Sequence, residues 1–248
     1  MDRSDPSIPP PALYAQLGFE AAPPIVHRVR LAPALLAAAL LACALPAARA
    51  LEAKATVDIE QNAGSPPAHF DLLPAEDRQR QPWTLIEDGT AVAGRAIEIR
   101  GTPTVDHSLA IYNAASTKDA EISLRIKATG GTEDQGGGIA LRLTSPDNYY
   151  LVETDARRDR VVFLRVVNGV AEEIVGVDAD IASNEWHRLA VRAVDDEFVV
   201  SLDGVWAFTA FDKALSRAGR IALWTATDSV TRFDSITIAP PSPSAQQW

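Results

Sequence analysis

The chain has one cysteine, Cys43, and one methionine, Met1. A lone thiol forms no disulfide within the chain and no thiolate metal cage. Cys43 falls in an N-terminal stretch read below as a leader. The domain beyond it therefore has no Cys nucleophile, disulfide or thiolate metal site. Basic residues are scarce as well: 23 Lys and Arg stand against 33 Asp and Glu, a net charge of −10. Nucleic acids and anionic membranes reward clustered Lys and Arg, so neither is expected as a partner. Long apolar runs are missing too. The longest, around residues 31–45, falls short of the ~20 residues that a membrane span needs. Beyond residue 50 no segment keeps a 3.6-residue apolar period for three turns, which argues against a long amphipathic helix. There is no Gly-x-Ser-x-Gly elbow, no phosphate loop and no His-x-x-x-His spacing. No metal or other cofactor is expected on these grounds.

What is present begins with that leader. His27, Arg28 and Arg30 precede the apolar run, and Ala48-Arg49-Ala50 follows it before the chain turns polar at Leu51-Glu52. A basic n-region, a short apolar core and a small-x-small cleavage site make a secretory signal peptide, so the protein is expected in the periplasm or outside the cell. Met1–Ile25 is rich in Pro and Ala and unlike an n-region, which points to a true start near Val26 or Val29. Leu40-Leu41-Ala42-Cys43 loosely matches a lipobox, and soluble export is preferred over a lipid anchor at Cys43. Residues 51–69 read as a linker or entry segment, 70–239 as one domain and 240–248 as a Pro/Ser tail.

Within the domain, short β-rich runs recur every 8–12 residues between turn signals, the mark of an all-β sandwich or barrel. Ile122, Leu124 and Ile126 alternate with Ser123 and Arg125, and Phe198, Val200 and Leu202 with Val199 and Ser201. The same pattern in Ile139, Leu141 and Leu143 places Arg142 on the opposite face of its strand. Asn168-Gly169 and Asp203-Gly204 tolerate the positive φ of tight hairpins. Gly130–Gly138 reads as a longer flexible loop, and Asp212–Ser216 as one short helical turn. Trp186, Leu189, Phe233 and Ile236 are expected in the core.

An ordered series of fragments carries a family resemblance. It runs through Gly137–Arg142, Asp147–Tyr150, Leu164–Gly169, Glu185-Trp186-His187, Leu202-Asp203-Gly204, Ala218–Thr225, Asp228–Val230 and Phe233-Asp234. The series resembles the exported bacterial domains named for 3-keto-disaccharide hydrolase, relatives of family 16 glycosidases and laminin-G-like modules in the concanavalin A-like superfamily. The resemblance spans about Trp83 to Ile238. It implies an antiparallel two-sheet jelly-roll sandwich in which sugars lie across a concave sheet. One such sandwich hosts lectins, hydrolases, lyases and structural modules, so the fold alone settles no activity. The chain departs from the family pattern at Glu153, where arginine is usual, and at Ala226, where lysine is usual.

The glycosidase relatives carry Glu-x-Asp-x-x-Glu on one strand, and period two brings both glutamates to one face. The nearest match is Glu153-Thr154-Asp155-Ala156-Arg157-Arg158, where arginine replaces the second glutamate. A standard double-displacement glycosidase is thereby excluded. Candidate sugar contacts are stacking by Tyr149 or Tyr150 and by Trp224, hydrogen bonds from Arg142 and Arg165, and Asp228 near the groove. For the two arginines, cross-strand ion pairs are an equal reading, and the tyrosines suit packing slightly better. Glu153, Asp155 and His187 are candidate bases, although His187 also suits a core position. Asp195-Asp196-Glu197 is a possible calcium loop, less favoured than a solvated turn. Three classes fit these residues: a carbohydrate-binding domain, a hydrolase or lyase of 3-keto-glycosides, and a structural or protein-binding laminin-G-like module.

Overall fold

A computed structural model describes residues 54–57, 63–73, 83–101 and 107–242. The leader, Cys43 and the last six residues lie outside the described residues. Among those described, every regular element is a strand, and all pairings are antiparallel. No described helix is long and apolar enough to cross a membrane.

The first sheet has eight strands. Its order is β13 (Val205–Phe211), β12 (Glu197–Leu202), β11 (His187–Val194), β6 (Ala120–Gly130), β15 (Val230–Ala239), β4 (Arg95–Arg100) and β3 (Trp83–Glu87). β1 (Ala55–Thr56) also pairs with β15. The second sheet has seven strands: β10 (Val170–Asp178), β9 (Arg160–Val167), β8 (Asn148–Asp155), β7 (Gly136–Ser145), β14 (Gly219–Ala226), β5 (His107–Thr117) and β2 (Phe70–Leu73). Sequence neighbours pair locally through the hairpins, whereas β15 joins β6 to β4 and β14 joins β7 to β5 across the chain. The result is a jelly-roll sandwich, the fold that the strand spacing and the resemblance both imply.

The core between the sheets follows from the period-two pattern. Ile122, Leu124, Ile126, Leu189, Val191, Phe198 and Val200 from the first sheet meet Ile139, Leu141, Tyr150, Val152, Phe163 and Leu223 from the second. Phe163 and Phe198 lie 4.7 Å apart by ring centroids, and Tyr150 lies 4.8 Å from Phe198. Burying each such side chain contributes about 1.5–3 kcal/mol. Both expected hairpins form, with φ of 51° and 78° at Asn168-Gly169 and 52° and 79° at Asp203-Gly204. Phe233 and Ile236 are in the core as expected.

Several expectations need correction. The sandwich begins inside the expected entry segment: Ala55 and Thr56 pair with Ile238 and Thr237, Val57 is buried in the core, and Gly64 N–H donates to Leu85 O. Gly136–Gly138 belong to β7. A Cβ at Gly138 would lie 2.0 Å from Val152 O, so only glycine lets β7 come that close to β8. The loop of residues 131–135 is tied down as well, because the Asp228 carboxylate accepts from Thr132 N, Thr132 Oγ1, Glu133 N and Asp134 N. Residues 212–218 form no helical turn. Asp212 Oδ1 instead accepts from Ala214 N, an arrangement that competes with helix. Trp186 is not in the core. Its ring lies under Arg125 and Lys127, at 4.7 and 4.6 Å, and its Nε1–H donates to Thr90 Oγ1.

Candidate functional site on the outer face of the seven-stranded sheet

The side of the seven-stranded sheet turned away from the core carries a second cluster, separate from the first: Leu109, Ile111, Ala140, Leu143, Tyr149, Leu151, Val166, Ala222, Trp224 and Ala226. Most of this face is aliphatic. Polar and aromatic groups concentrate at one end, where antiparallel register sets up a row. Leu109 pairs with Trp224, Trp224 with Gly138, Gly138 with Glu153, and Glu153 with Val162. Strands are ~4.8 Å apart, so the Trp224 and Glu153 backbones stand ~10 Å apart, with a residue lacking a side chain between them. The Glu153 carboxyl leans over a second glycine, since a Cβ at Gly136 would lie 3.0 Å from Glu153 Oε1. Trp224 and Glu153 thus flank a position with no side chain, and this gap in the row is the slot of the face.

The rings form a group of their own. His107 opposes Ala226 one row further along. It stacks on Trp224 at 6.1 Å and 18°, and its Nε2 lies 3.4 Å from Tyr149 Oη. Burial pushes the Tyr149 phenol up to about 12, so it stays neutral. Trp224 Nε1–H is buried without a well-formed hydrogen bond; it neighbours the Tyr149 oxygen and tempers that shift. Glu153 is pushed up to about 8, first by desolvation and then by the charges of Asp155 and Asp134, which Arg158 only partly offsets. At neutral pH Glu153 is therefore mostly a carboxylic acid, able to donate as well as accept a hydrogen bond. That reverses its expected role as a base below pH 8.

Other candidates from the sequence are placed elsewhere. Arg142 does not reach this face. It sits at φ 50° in a bulge that shifts the β7–β8 register between Leu141 and Ser145, and it is 1% exposed. Its guanidinium donates to Lys118 O at 2.9 Å, Leu215 O at 3.2 Å and Asp195 O at 2.5 Å, and lies 4.8 Å from the Phe198 ring centroid. It therefore ties three loops together at one rim of the sandwich. The bulge also turns Leu143 to the outer face although Leu141 stays inside, so the alternation breaks there.

Tyr150 faces the core. Its hydroxyl donates to Asp212 Oδ1 at 2.5 Å and accepts from Leu215 N at 3.0 Å. Arg165 also pairs with Asp212, at 2.5 Å, and with Glu172. Neither side chain is on the slot's face. Of the two tyrosines, Tyr149 faces the slot, at 2% exposure, and Trp224 is 8% exposed. Both therefore show edges rather than open stacking faces, which for Tyr149 is the packing reading and for Trp224 departs from the expected stacking.

Asp155 is spent on the β8–β9 turn, accepting from Arg157 N and Arg158 N and pairing with the Arg158 guanidinium. Arg158, in the position of the family's second glutamate, is held by Asp155 and Asp134. No second carboxyl is thus available as a partner for Glu153 in this segment. His187 is on the other sheet, opposite Ile126, with Nδ1 2.8 Å from Asp203 Oδ2 and Nε2 3.2 Å from Ala182 O. Asp228 positions the 131–135 loop, and its four donors hold its carboxyl well below the usual range. Asp195 forms the β11–β12 turn and pairs with Lys118 at 2.7 Å. Among the described residues no group of three metal-ligating side chains is assembled. Sequence reasoning overlooked His107 because it lies 42 residues from Tyr149, and only the sheet brings the two together.

No protein-family model matches the sequence, and no curated protein matches it. Solved structures do share the fold. The carbohydrate-binding module CBM66 from Bacillus subtilis is 26% identical with a TM-score of 0.54, over 64% of this chain and 95% of that one. The cellulose-induced protein Cip1 is 12% identical with a TM-score of 0.56, over 75% and 96%. A native glycosidic hydrolase is 9% identical with a TM-score of 0.51, over 79% and 99%. The last two similarities concern the fold alone. The likeness to CBM66 supports the concanavalin A-like superfamily.

Proposed function

We propose that the protein is an exported carbohydrate-recognition domain whose ligand seats at the slot between Trp224 and Glu153. One observation carries the reading: an indole edge and an uncharged carboxyl flank a glycine position on the outer face of one sheet. A sugar offers hydroxyls to the carboxyl and a ring that packs against the indole edge and the apolar surface beside it. The likeness to CBM66 and the leader-like N-terminus support a sugar ligand and export, respectively.

Binding of purified residues 51–248 to a glycan array tests the proposal, with Trp224→Phe and Glu153→Gln as variants. Trp224→Phe keeps an aromatic ring and shortens the indole edge. Saturable binding that falls at least about tenfold in Trp224→Phe supports the slot. Absence of any array ligand, or binding indifferent to both variants, overturns it.

Glu153 also favours a second reading, a hydrolase or lyase of 3-keto-glycosides as in the family that the sequence resembles. A carboxyl protonated at neutral pH is a ready general acid for a leaving glycosidic oxygen. Release of reducing sugar from 3-keto-trehalose by the wild type, abolished in Glu153→Gln, would establish it.

A further inference from the structure

The opposite face of the sandwich holds a groove of about 440 Å³ on the outer side of the eight-stranded sheet. Its size falls in the ~300–1,000 Å³ range of small-ligand sites. Register again builds a row: Thr237 pairs with Ser123, Ser123 with Ala190, Ala190 with Ser201, and Ser201 with Trp206. Small hydroxyl side chains make the floor. The row ends at Trp206, which is 58% exposed and is the open indole that the other face lacks.

The charged side chains of this groove are unequally partnered. Lys54 and Arg188 line it, and neither forms an ion pair among the described residues. Other arginines on this face are already used: Arg125 pairs with Asp234, Arg232 with Glu98 and Asp88, Arg100 with Glu98, and Arg192 lies 3.5 Å from Glu121. Glu121, the groove's own carboxylate, accepts from Ser242 N and Ser242 Oγ as well. Asp203, beside Arg188, is taken up by His187 and by Arg188 N. In a chain of net charge −10, two cations with no acidic partner among the described residues, Arg188 donating only to Ser123 Oγ at 3.4 Å, lie over a hydroxyl floor and are complementary to an anion that also carries hydroxyls.

We propose that this groove is a second glycan site, selective for oligosaccharides of uronic acids. Arg188 and Lys54 receive the sugar carboxylate, which suits the guanidinium fork of Arg188. Ser123, Ser201 and Thr237 meet ring hydroxyls, and Trp206 stacks against a pyranose at the open end. The site lies on the sheet opposite the slot, so it stands or falls separately from the function proposed above.

Isothermal titration of the wild type with a tetragalacturonate tests it, with a neutral glucotetraose and a sulfated tetrasaccharide as controls. The expected result is binding of the uronate alone, weakening at least about tenfold in Arg188→Ala and in Trp206→Ala and falling with added salt. Glu153→Gln and Trp224→Phe leave that binding unchanged. Arg188 and Trp206 are exposed, so both variants should fold, which a thermal melt verifies. Failure of the wild type to bind the uronate overturns the proposal. So does uronate binding that survives in the double variant Arg188→Ala/Trp206→Ala. Equal binding of either control overturns the selectivity for carboxylated sugar.

Discussion

The backbone at Gly219 passes so close to Arg142 that a Cβ there would lie 2.3 Å from the Arg142 carbonyl carbon and 2.6 Å from its oxygen. That approach accommodates the bulge, and the bulge aims the Arg142 guanidinium at three loop carbonyls. The first strand of the β7–β14 pair therefore owes its irregular register to a missing side chain on the second. Gly219→Ala should push the strands apart and cost about 1–3 kcal/mol. Arg142→Ala, which removes a buried guanidinium and its hydrogen bonds to three loop carbonyls, should cost about 2–4 kcal/mol. Chemical denaturation measures both. The two substitutions should be non-additive, because each disrupts the same bulge.

Glu153 gives stability a definite slope with pH. Its carboxyl ionises near 8 in the fold, against about 4.5 in the unfolded chain, so folding favours the protonated form. The contribution is complete below pH 4.5 and is lost as pH rises toward 8. Glu153→Gln, which mimics the neutral acid, should flatten the decline between pH 5 and 8. Thermal melts of the two proteins across that range provide the comparison. Parallel curves would show that Glu153 ionises normally.

Tyr150 and Arg165 should prove irrelevant to glycan binding. Tyr150→Phe removes a hydroxyl that donates to Asp212 and accepts from Leu215 N, at a cost of about 1–2 kcal/mol. Its affinity for any array ligand should equal that of the wild type. A selective loss of binding in a folded Tyr150→Phe protein would move the site to the sandwich rim.

Asp228→Asn should loosen the 131–135 loop without altering the sheets. Its carboxylate accepts four hydrogen bonds from the loop, and a neutral amide serves those donors less well. Limited proteolysis should cut the variant between Gly131 and Gln135 faster than the wild type. In the wild type this support persists above pH 4 and is lost only as pH falls through the lowered carboxylate pKa.

The sandwich was legible in the sequence wherever alternation ran uninterrupted. Ile122–Ile126 and Phe198–Leu202 send their apolar residues to the core as the period requires, and both Asx-Gly turns close hairpins. The site was legible only in part. Alternation places Tyr149 and Tyr150 on opposite faces but does not say which face is the interior. At Arg142 the period failed outright, because a one-residue bulge reverses side-chain direction and leaves no compositional trace in Leu141-Arg142-Leu143. The sequence offers Asp155 as a candidate base and Asp228 and Arg165 as candidate sugar contacts. Their partners lie in other loops, and those partners use up their hydrogen-bonding capacity.

By itself the chain determined an all-β architecture, its turns and the absence of thiol chemistry in the domain, because these depend on residue type and on spacing along one strand. Only the tertiary structure decided that His107, Tyr149, Glu153 and Trp224 share one end of one face, and that Lys54, Arg188 and Trp206 share the opposite one. Those groupings depend on register between strands that are distant in sequence. Register is set by packing and bulges across the whole sandwich, and no local pattern encodes it.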